Sequence, residues 1–165
     1  GLGVGDRLVL VGGGDGHGGR PGEDLWLRVL GARACGITGI WAPELTREAL
    51  WDALWNRHCY ATTSRRIIVQ CHLGEAMMGD EVEVEGPDAP RELRVQVNGT
   101  APVERITVVK NNVDIHVQRP DAADVTFTWP DPEPARDGDY YYLRVEQADG
   151  AMAWGSPIWV DLATA

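Results

Sequence analysis

Seven short β-rich segments in the second half of the chain constrain the fold more than any other feature. They are DEVEVEG, ELRVQVNG, ERITVVKNN, VDIHVQR, DVTFTW, YYYLRVEQADG and AMAWGSPIWVDL. In the second segment Leu93, Val95 and Val97 alternate with polar residues, so one face of that strand is apolar. Repeated short strands with turn residues between them are typical of antiparallel β-sandwiches. We therefore predict an immunoglobulin-like β-sandwich over residues 76–165.

The first 75 residues alternate strand and helix signals instead. Arg7–Val11 is an apolar run ended by glycines, as in a strand buried on both faces. A helix should follow from about Thr46 to Arg57, because the Thr46 hydroxyl can accept one of the free N–H groups of its first turn. The next segment, RRIIVQCHL, reads as another strand. We predict α/β structure over residues 1–75, and therefore an α+β chain of two domains.

Charge and composition exclude several classes of function. The net charge is −10, and residues 76–165 hold 7 basic and 17 acidic residues, whereas the first 75 are balanced. An acidic surface repels phosphate backbones, so we expect no nucleic-acid partner. No apolar run approaches the length of a membrane span, so we expect no membrane partner. The three cysteines are odd in number and widely spaced, which favours a reducing, cytoplasmic compartment.

The stretch LVLVGGGDGHGGRPG keeps only two acid–base side chains among its glycines, Asp15 and His17. Its glycines satisfy the G-x-G-x-x-G spacing of dinucleotide sites, but the Arg-Pro-Gly that follows interrupts the helix such sites need. A tight turn capped by Asp15 is a second interpretation. The third is metal binding, because side chains two residues apart on an extended strand project to the same side. Two ligands are fewer than a catalytic zinc-like site takes from its protein.

Four motifs follow one another in the order GGGDGHGGRPG, GITGIWA, TREALWDALWNRHCYAT and SPIW. This order resembles the C-terminal part of proteins of the polymerase-and-histidinol-phosphatase (PHP) superfamily, which are metal-dependent phosphoesterases. The nearest branch is a group of large bacterial proteins of unknown function. The resemblance implies that Asp15 and His17 are ligands of a divalent metal (Zn, Mn or Fe) and that Arg20 contacts phosphate.

The resemblance also implies that residues 1–75 are the last portion of the superfamily's α/β barrel. The H-x-H motif and the further ligands of that superfamily are absent from this chain. We therefore expect the chain alone to be inactive and to bind metal weakly or not at all. Uncovered apolar surface in such a remnant leads us to expect a homo-oligomer formed through residues 1–75. The alternative function is a non-catalytic β-sandwich module that binds protein or carbohydrate.

Two His–Cys pairs invite a zinc interpretation, but their spacing is not that of a zinc finger or ribbon. His58 and Cys59 come at the end of the predicted helix, and Cys71 and His72 are neighbours on a strand and point to opposite faces. We predict packed cysteines instead.

Two aromatic patterns carry structural predictions. Trp51 and Trp55 are four residues apart on the helix, so we predict that they pack inward together. Tyr141 follows Asp137 by four residues, which is the spacing of a tyrosine corner in immunoglobulin-like sandwiches.

Overall fold

The computed structural model describes residues 2–14, 35–63 and 65–163, and within them the fold is one curled sheet of eleven strands with one α-helix. A single 3₁₀ turn precedes the sheet at Leu2–Val4. The helix is α1 (Arg47–Trp55), and the strands are β1 (Gly36–Ile40), β2 (Cys59–Thr63), β3 (Ile68–Leu73), β4 (Ala76–Met77), β5 (Glu81–Val84), β6 (Glu92–Lys110), β7 (Val113–Gln118), β8 (Ala122–Pro130), β9 (Asp139–Gln147), β10 (Met152–Gly155) and β11 (Ile158–Leu162).

β6 organises the sheet because its 19 residues pair with four other strands. The first half of β6 lies between β3 and β8, and the second half lies between β7 and β9. The pairing register shifts between Asn98 and Val103 and again between Val108 and Val109. Irregularities of this kind bend a strand and increase its twist. The sheet therefore curls into a half-barrel around its own apolar face.

The core lies on the concave face of this sheet. Leu93, Val95 and Val97 are fully buried there, which confirms the alternation predicted for this segment. β9 pairs with the second half of β6, and from Tyr141 onward its odd-numbered residues are buried while its even-numbered residues are partly exposed. The fully buried residues of β9 on this face are Tyr141, Leu143 and Val145. We call the convex side of the sheet the outer face.

The helix begins as predicted but connects antiparallel strands. The Thr46 hydroxyl accepts the Ala49 N–H at 3.2 Å, which confirms Thr46 as the N-cap. After α1, Arg57 adopts a φ of 64° and reverses the chain. β2 then pairs antiparallel with β1, from Gly36 opposite Thr63 to Ile40 opposite Cys59. A right-handed β–α–β crossover would have placed these strands parallel.

The α+β prediction, an α/β barrel remnant followed by a sandwich, is therefore wrong. Just over half of the described residues lie in strands, nearly all paired antiparallel, and helix is confined to one short segment among them. Strands from both sides of residue 75 share the sheet, because β2 pairs with β10 and β3 pairs with β6. Arg7–Val11 does not form the predicted buried strand, and Leu8 and Val11 are exposed. No helix in the described ranges has the length and apolarity to cross a membrane.

Candidate functional site

The segment before the D-x-H motif crosses the outer face of the sheet and is fixed there at its start by an arginine. Arg7 donates two hydrogen bonds to the carboxylate of Asp161, at 2.7 and 2.8 Å. Its guanidinium carbon also lies 5.5 Å from the ring centre of buried Trp159, and that of Arg57 lies 5.1 Å from the same ring. These contacts dock the segment on β11 through a cation–π pair and an ion pair.

The glycines of this segment allow its backbone to touch β1. The Gly12 N–H donates to the Thr38 hydroxyl at 3.0 Å, and that hydroxyl donates to the Gly12 carbonyl at 2.8 Å. A side chain at Gly12 would place its Cβ 2.4 Å from the Ile37 carbonyl oxygen. Gly14 meets the sulfur of Cys35 in the same way, at 2.9 Å. Gly12 is therefore required by close approach to the backbone of the strand, whereas Gly14 contacts the side chain of Cys35, the residue just before that strand.

The predicted site residues Asp15, His17 and Arg20 lie outside the described residues. Gly14, the residue before Asp15, lies against Cys35, whose thiol donates to the Gly14 carbonyl at 3.7 Å. In the ranges that the structure describes, no three His, Cys, Asp or Glu side chains are grouped so that they could hold a metal ion. A metal site at Asp15 and His17 is therefore not part of any ligand cluster formed by the described residues alone.

A cleft of about 450 Å³ lies beside this segment, between it and the outer face of β2, β9 and β10. We call it the β9–β10 cleft. Its floor is formed by Ala61, Thr63, Tyr142 and Trp154, and its wall by residues 10–13. The volume lies within the range of about 300–1,000 Å³ usual for small-ligand sites. The cleft is thus bordered by residues 10–13, which precede the D-x-H motif in the sequence.

The His–Cys pairs make ordinary structural contacts. His58 Nε2 lies 2.7 Å from a carboxylate oxygen of Asp80, and the Cys59 thiol donates to the Leu10 carbonyl at 3.8 Å. Burial raises the pKa of the Cys59 thiol, although a hydrogen bond with Ser156 partly opposes it. Burial also raises the pKa of Cys71, to about 12. Both thiols are therefore protonated at neutral pH.

The tryptophans of α1 do not pack inward as predicted. Trp51 is 64% exposed and Trp55 is 74% exposed, and their rings stack on each other with centres 6.0 Å apart. Leu45, just before the helix, is 90% exposed. Of the residues in α1, Ala53 is buried. The helix therefore presents an apolar surface to the outside, which we call the α1 face (Leu45, Trp51, Leu54 and Trp55).

A buried ionic network beside β9 is the most elaborate polar cluster in the described part of the chain. Lys110 Nζ lies 2.9 Å from an oxygen of Asp131 and 3.0 Å from an oxygen of Asp139. The Tyr141 hydroxyl donates to Asp131 at 2.6 Å and accepts from Arg91 Nε at 3.1 Å. All five side chains are buried. Its two cations balance its two carboxylates.

The partners in this network hold each other in the charged state. Burial alone would raise the pKa of Asp131, but hydrogen bonds from Tyr141 and Lys110 outweigh it and lower that pKa. Asp139 has a lowered pKa for the same reason, with Asn111 as its first hydrogen-bond donor. Burial alone would lower the pKa of Lys110, but its bonds to both carboxylates raise it. The network is thus a structural ion cluster.

Sequence reasoning missed this network and misplaced its tyrosine. Tyr141 does not form the predicted tyrosine corner, because its hydroxyl bonds to the side chains of Asp131 and Arg91 and not to backbone upstream. Asp131 belongs to an acidic, proline-rich stretch that resembles an exposed loop. Lys110 ends β6, whose last five residues are all buried.

Comparison with protein families finds one similarity that covers residues 20–93, to a family described as a protein of unknown function, DUF3604. The chain is 38% identical over 141 residues to an uncharacterized protein of Chlamydia pneumoniae. It is 36% identical over the same length to uncharacterized proteins of Chlamydia trachomatis and Chlamydia muridarum. Each match covers 77% of this chain and 23% of the relative. The chain therefore spans less than a quarter of the length of these relatives.

Among solved structures, a crystal structure of an engineered protein matches 60% of this chain and 20% of its own. The identity is 20% and the TM-score is 0.38, a likeness too distant to assign the fold.

Proposed function

We propose that this chain is the C-terminal part of a PHP-like metal-dependent phosphoesterase and that Asp15 and His17 are two of its metal ligands. The observation that carries the proposal is the anchoring of residues 12–14 on β1. Two hydrogen bonds between Gly12 and Thr38 fix the backbone just before Asp15. Ligands that follow a fixed backbone can be placed accurately. The order of the four sequence motifs supports the same assignment.

Each of the three functional residues has a separate role in this proposal. Asp15 and His17 hold a divalent cation, which when bound would activate water for attack on a phosphoester. Arg20 contacts the substrate phosphate, for which a guanidinium is well suited. The remaining ligands come from outside the described residues, and the chain alone is inactive. The metal is zinc, manganese or iron.

The test is phosphoester hydrolysis by the protein expressed from its natural reading frame. We expect 4-nitrophenyl phosphate to be hydrolysed in the presence of Zn²⁺, Mn²⁺ or Fe²⁺, and Asp15→Ala or His17→Ala to abolish the activity. His72→Ala is the matched control and should retain it. The reading frame upstream of Gly1 should also encode an H-x-H motif. Full activity in both ligand variants would refute the assignment.

The α1 face favours a second candidate function, that of a non-catalytic interaction module. Trp51 and Trp55 expose most of their surface, yet their rings stack on each other and thereby occupy one face of each ring. That arrangement favours a protein partner over a sugar, which needs open ring faces. We take a second copy of the chain as this partner, so that residues 1–75 form a homo-oligomer. Exposed apolar patches of this kind commonly mark protein interfaces.

Light scattering at micromolar concentration tests the second candidate. We expect a dimer or larger oligomer, which Trp51→Ala combined with Trp55→Ala should dissociate. Val113→Ala is the matched control, because Val113 is 60% exposed on β7 and lies outside the α1 face. If the unmodified chain is a monomer, the proposed homo-oligomer is contradicted. If the chain instead binds a glycan, the α1 face is assigned to carbohydrate.

A further inference from the structure

The β9–β10 cleft has an uncharged lining. Among its described lining residues, the side chains are aliphatic, aromatic or hydroxyl-bearing, and none carries a charge. A buried ionised group in a ligand would meet no partner of opposite charge there, and this would disfavour its binding. The cleft therefore selects an uncharged group.

Most polar atoms of the lining are already hydrogen-bonded to the protein. The Thr63 hydroxyl accepts from the Met152 N–H at 2.8 Å, and the Thr62 hydroxyl donates to the Arg65 carbonyl at 2.6 Å. The wall glycines are bonded to β1. A sugar ring would bring several hydroxyls into a cleft that has few free partners for them, and unpaired polar groups are costly to bury. The lining therefore favours a mostly apolar ligand.

Two side-chain polar atoms of the lining have no hydrogen-bond partner among the described residues, and both belong to aromatic side chains. They are the Tyr142 hydroxyl and Trp154 Nε1, on the adjacent strands β9 and β10. Trp41 offers a contrast, because its Nε1 donates to the Val69 carbonyl at 2.9 Å. Indole Nε1 is a donor only, whereas a phenol both donates and accepts. A ligand that satisfies both must carry at least one acceptor.

We propose that the β9–β10 cleft binds an uncharged, planar aromatic group that carries a hydrogen-bond acceptor. Such a ring packs against Tyr142 and Trp154, and its acceptor takes the Trp154 Nε1 proton. The inference deepens the proposed function, because the ring would be the organic part of the phosphoester. Only this identification of the ring rests on the proposed function. Binding of the ring itself depends on the cleft alone.

Ligand-observed NMR with benzamide tests the inference, because benzamide is flat, uncharged and has a carbonyl acceptor. Cyclohexanecarboxamide keeps the amide without the aromatic ring, and benzoate keeps the ring but adds a charge. Methyl glucoside tests the sugar alternative. We expect benzamide to bind at least about tenfold more tightly than the other three. Equal binding of benzamide and cyclohexanecarboxamide, or preference for benzoate or the glucoside, would overturn the inference.

Variants locate the binding. Trp154→Ala should weaken benzamide binding at least about tenfold. Trp154→Phe keeps a ring and removes the donor, so it should weaken binding about fivefold, the loss of one neutral hydrogen bond. Val113→Ala is the matched control, because Val113 lies exposed on β7 outside the cleft, and it should bind as the unmodified chain does. Circular dichroism checks that each variant is folded, and Trp154→Phe keeps the test decisive if Trp154→Ala fails to fold. Unchanged binding in Trp154→Phe and in a folded Trp154→Ala would place the ring elsewhere.

The two proposals fail in distinguishable ways. In the protein expressed from its natural reading frame, Asp15→Ala and His17→Ala should abolish metal uptake and leave benzamide binding unchanged. Absence of metal together with benzamide binding would refute the proposed function and leave the cleft assignment standing. Metal uptake without benzamide binding would refute the cleft assignment and leave the proposed function standing.

Discussion

Removing the negative charge of Asp131 should destabilise the fold more than any change of an exposed carboxylate. The side chain of Asp131 is 1% exposed and accepts hydrogen bonds from Tyr141 at 2.6 Å and Lys110 at 2.9 Å. Asp131→Asn keeps the shape of the side chain but leaves the buried Lys110 with Asp139 as its remaining carboxylate, and it removes the carboxylate that lies 3.8 Å from the buried Arg91. Breaking a buried ion pair by removing one partner costs about 3–5 kcal/mol. That is a large fraction of the ~5–15 kcal/mol that stabilises a typical domain.

Urea unfolding followed by circular dichroism measures this loss. Asp114→Asn is the matched control, because Asp114 pairs with Arg144 at 2.7 Å but its side chain is 45% exposed. An exposed pair of that kind contributes about 1 kcal/mol or less. We therefore expect the urea midpoint of Asp131→Asn to fall well below that of Asp114→Asn. Equal midpoints for the two variants would refute the reasoning that burial makes this network important for stability.

The same network predicts how stability depends on pH. Asp131 and Asp139 have folded-state pKa values below their ordinary value of 3.8, so the unfolded chain takes up protons first as the pH falls. Their contribution is therefore fully present above about pH 4 and is lost as the pH falls through the folded-state pKa values. Thermal unfolding between pH 7 and pH 2 should show this decline, and Asp131→Asn should flatten it. A melting temperature that stays constant down to pH 2 would contradict the lowered pKa values.

Two further predictions concern the glycine segment and the thiols. Gly12→Ala should destabilise the fold by about 1–3 kcal/mol in urea unfolding, because its methyl group would meet the backbone of β1 at 2.4 Å. Gly13→Ala is the control and should be near neutral, because no atom lies within 4 Å of a Cβ at that position. Similar losses of stability in both variants would refute the close-approach argument. Thiol titration of the native protein should label Cys35, which is partly exposed, well before Cys59 and Cys71, which are buried. Equally fast labelling of all three thiols would contradict the burial of Cys59 and Cys71.

Local patterns in the sequence predict individual elements well, because the physics behind them is local. The Thr46 cap and the alternation of Leu93, Val95 and Val97 are both confirmed. The Asp149-Gly150 step is typical of a hairpin turn, and Gly150 adopts a φ of 79° between β9 and β10. Each of these features depends on residues that are close together in the sequence.

The arrangement of the elements could not be predicted, because it depends on distant pairing. The Asn98-Gly99 step also reads as a hairpin turn, yet it lies inside β6, where a Gly99 side chain would meet the Ala101 carbonyl at 2.6 Å and Gln147 at 2.7 Å. The glycine therefore serves close packing at a bend, and one long strand replaces two short ones. Because this one long strand replaces two short ones, the strands predicted for a sandwich form one curled sheet.

Part of the candidate site could be found from sequence and part could not. The D-x-H motif predicts Asp15 and His17 as ligands, which stays a prediction because they lie outside the described residues, whereas the role of Gly12 against β1 needs the structure. The β9–β10 cleft depends on Tyr142 and Trp154, which are adjacent only after β9 and β10 pair. No spacing in the sequence brings them together.

Metal content tests the central claim most directly. The protein expressed from its natural reading frame, dialysed and analysed by plasma mass spectrometry, should hold zinc, manganese or iron in a fixed ratio to protein. His17→Ala should lose this metal, whereas His72→Ala should keep it. Equal metal in the unmodified protein and in His17→Ala, or no uptake at any metal concentration, would contradict the account.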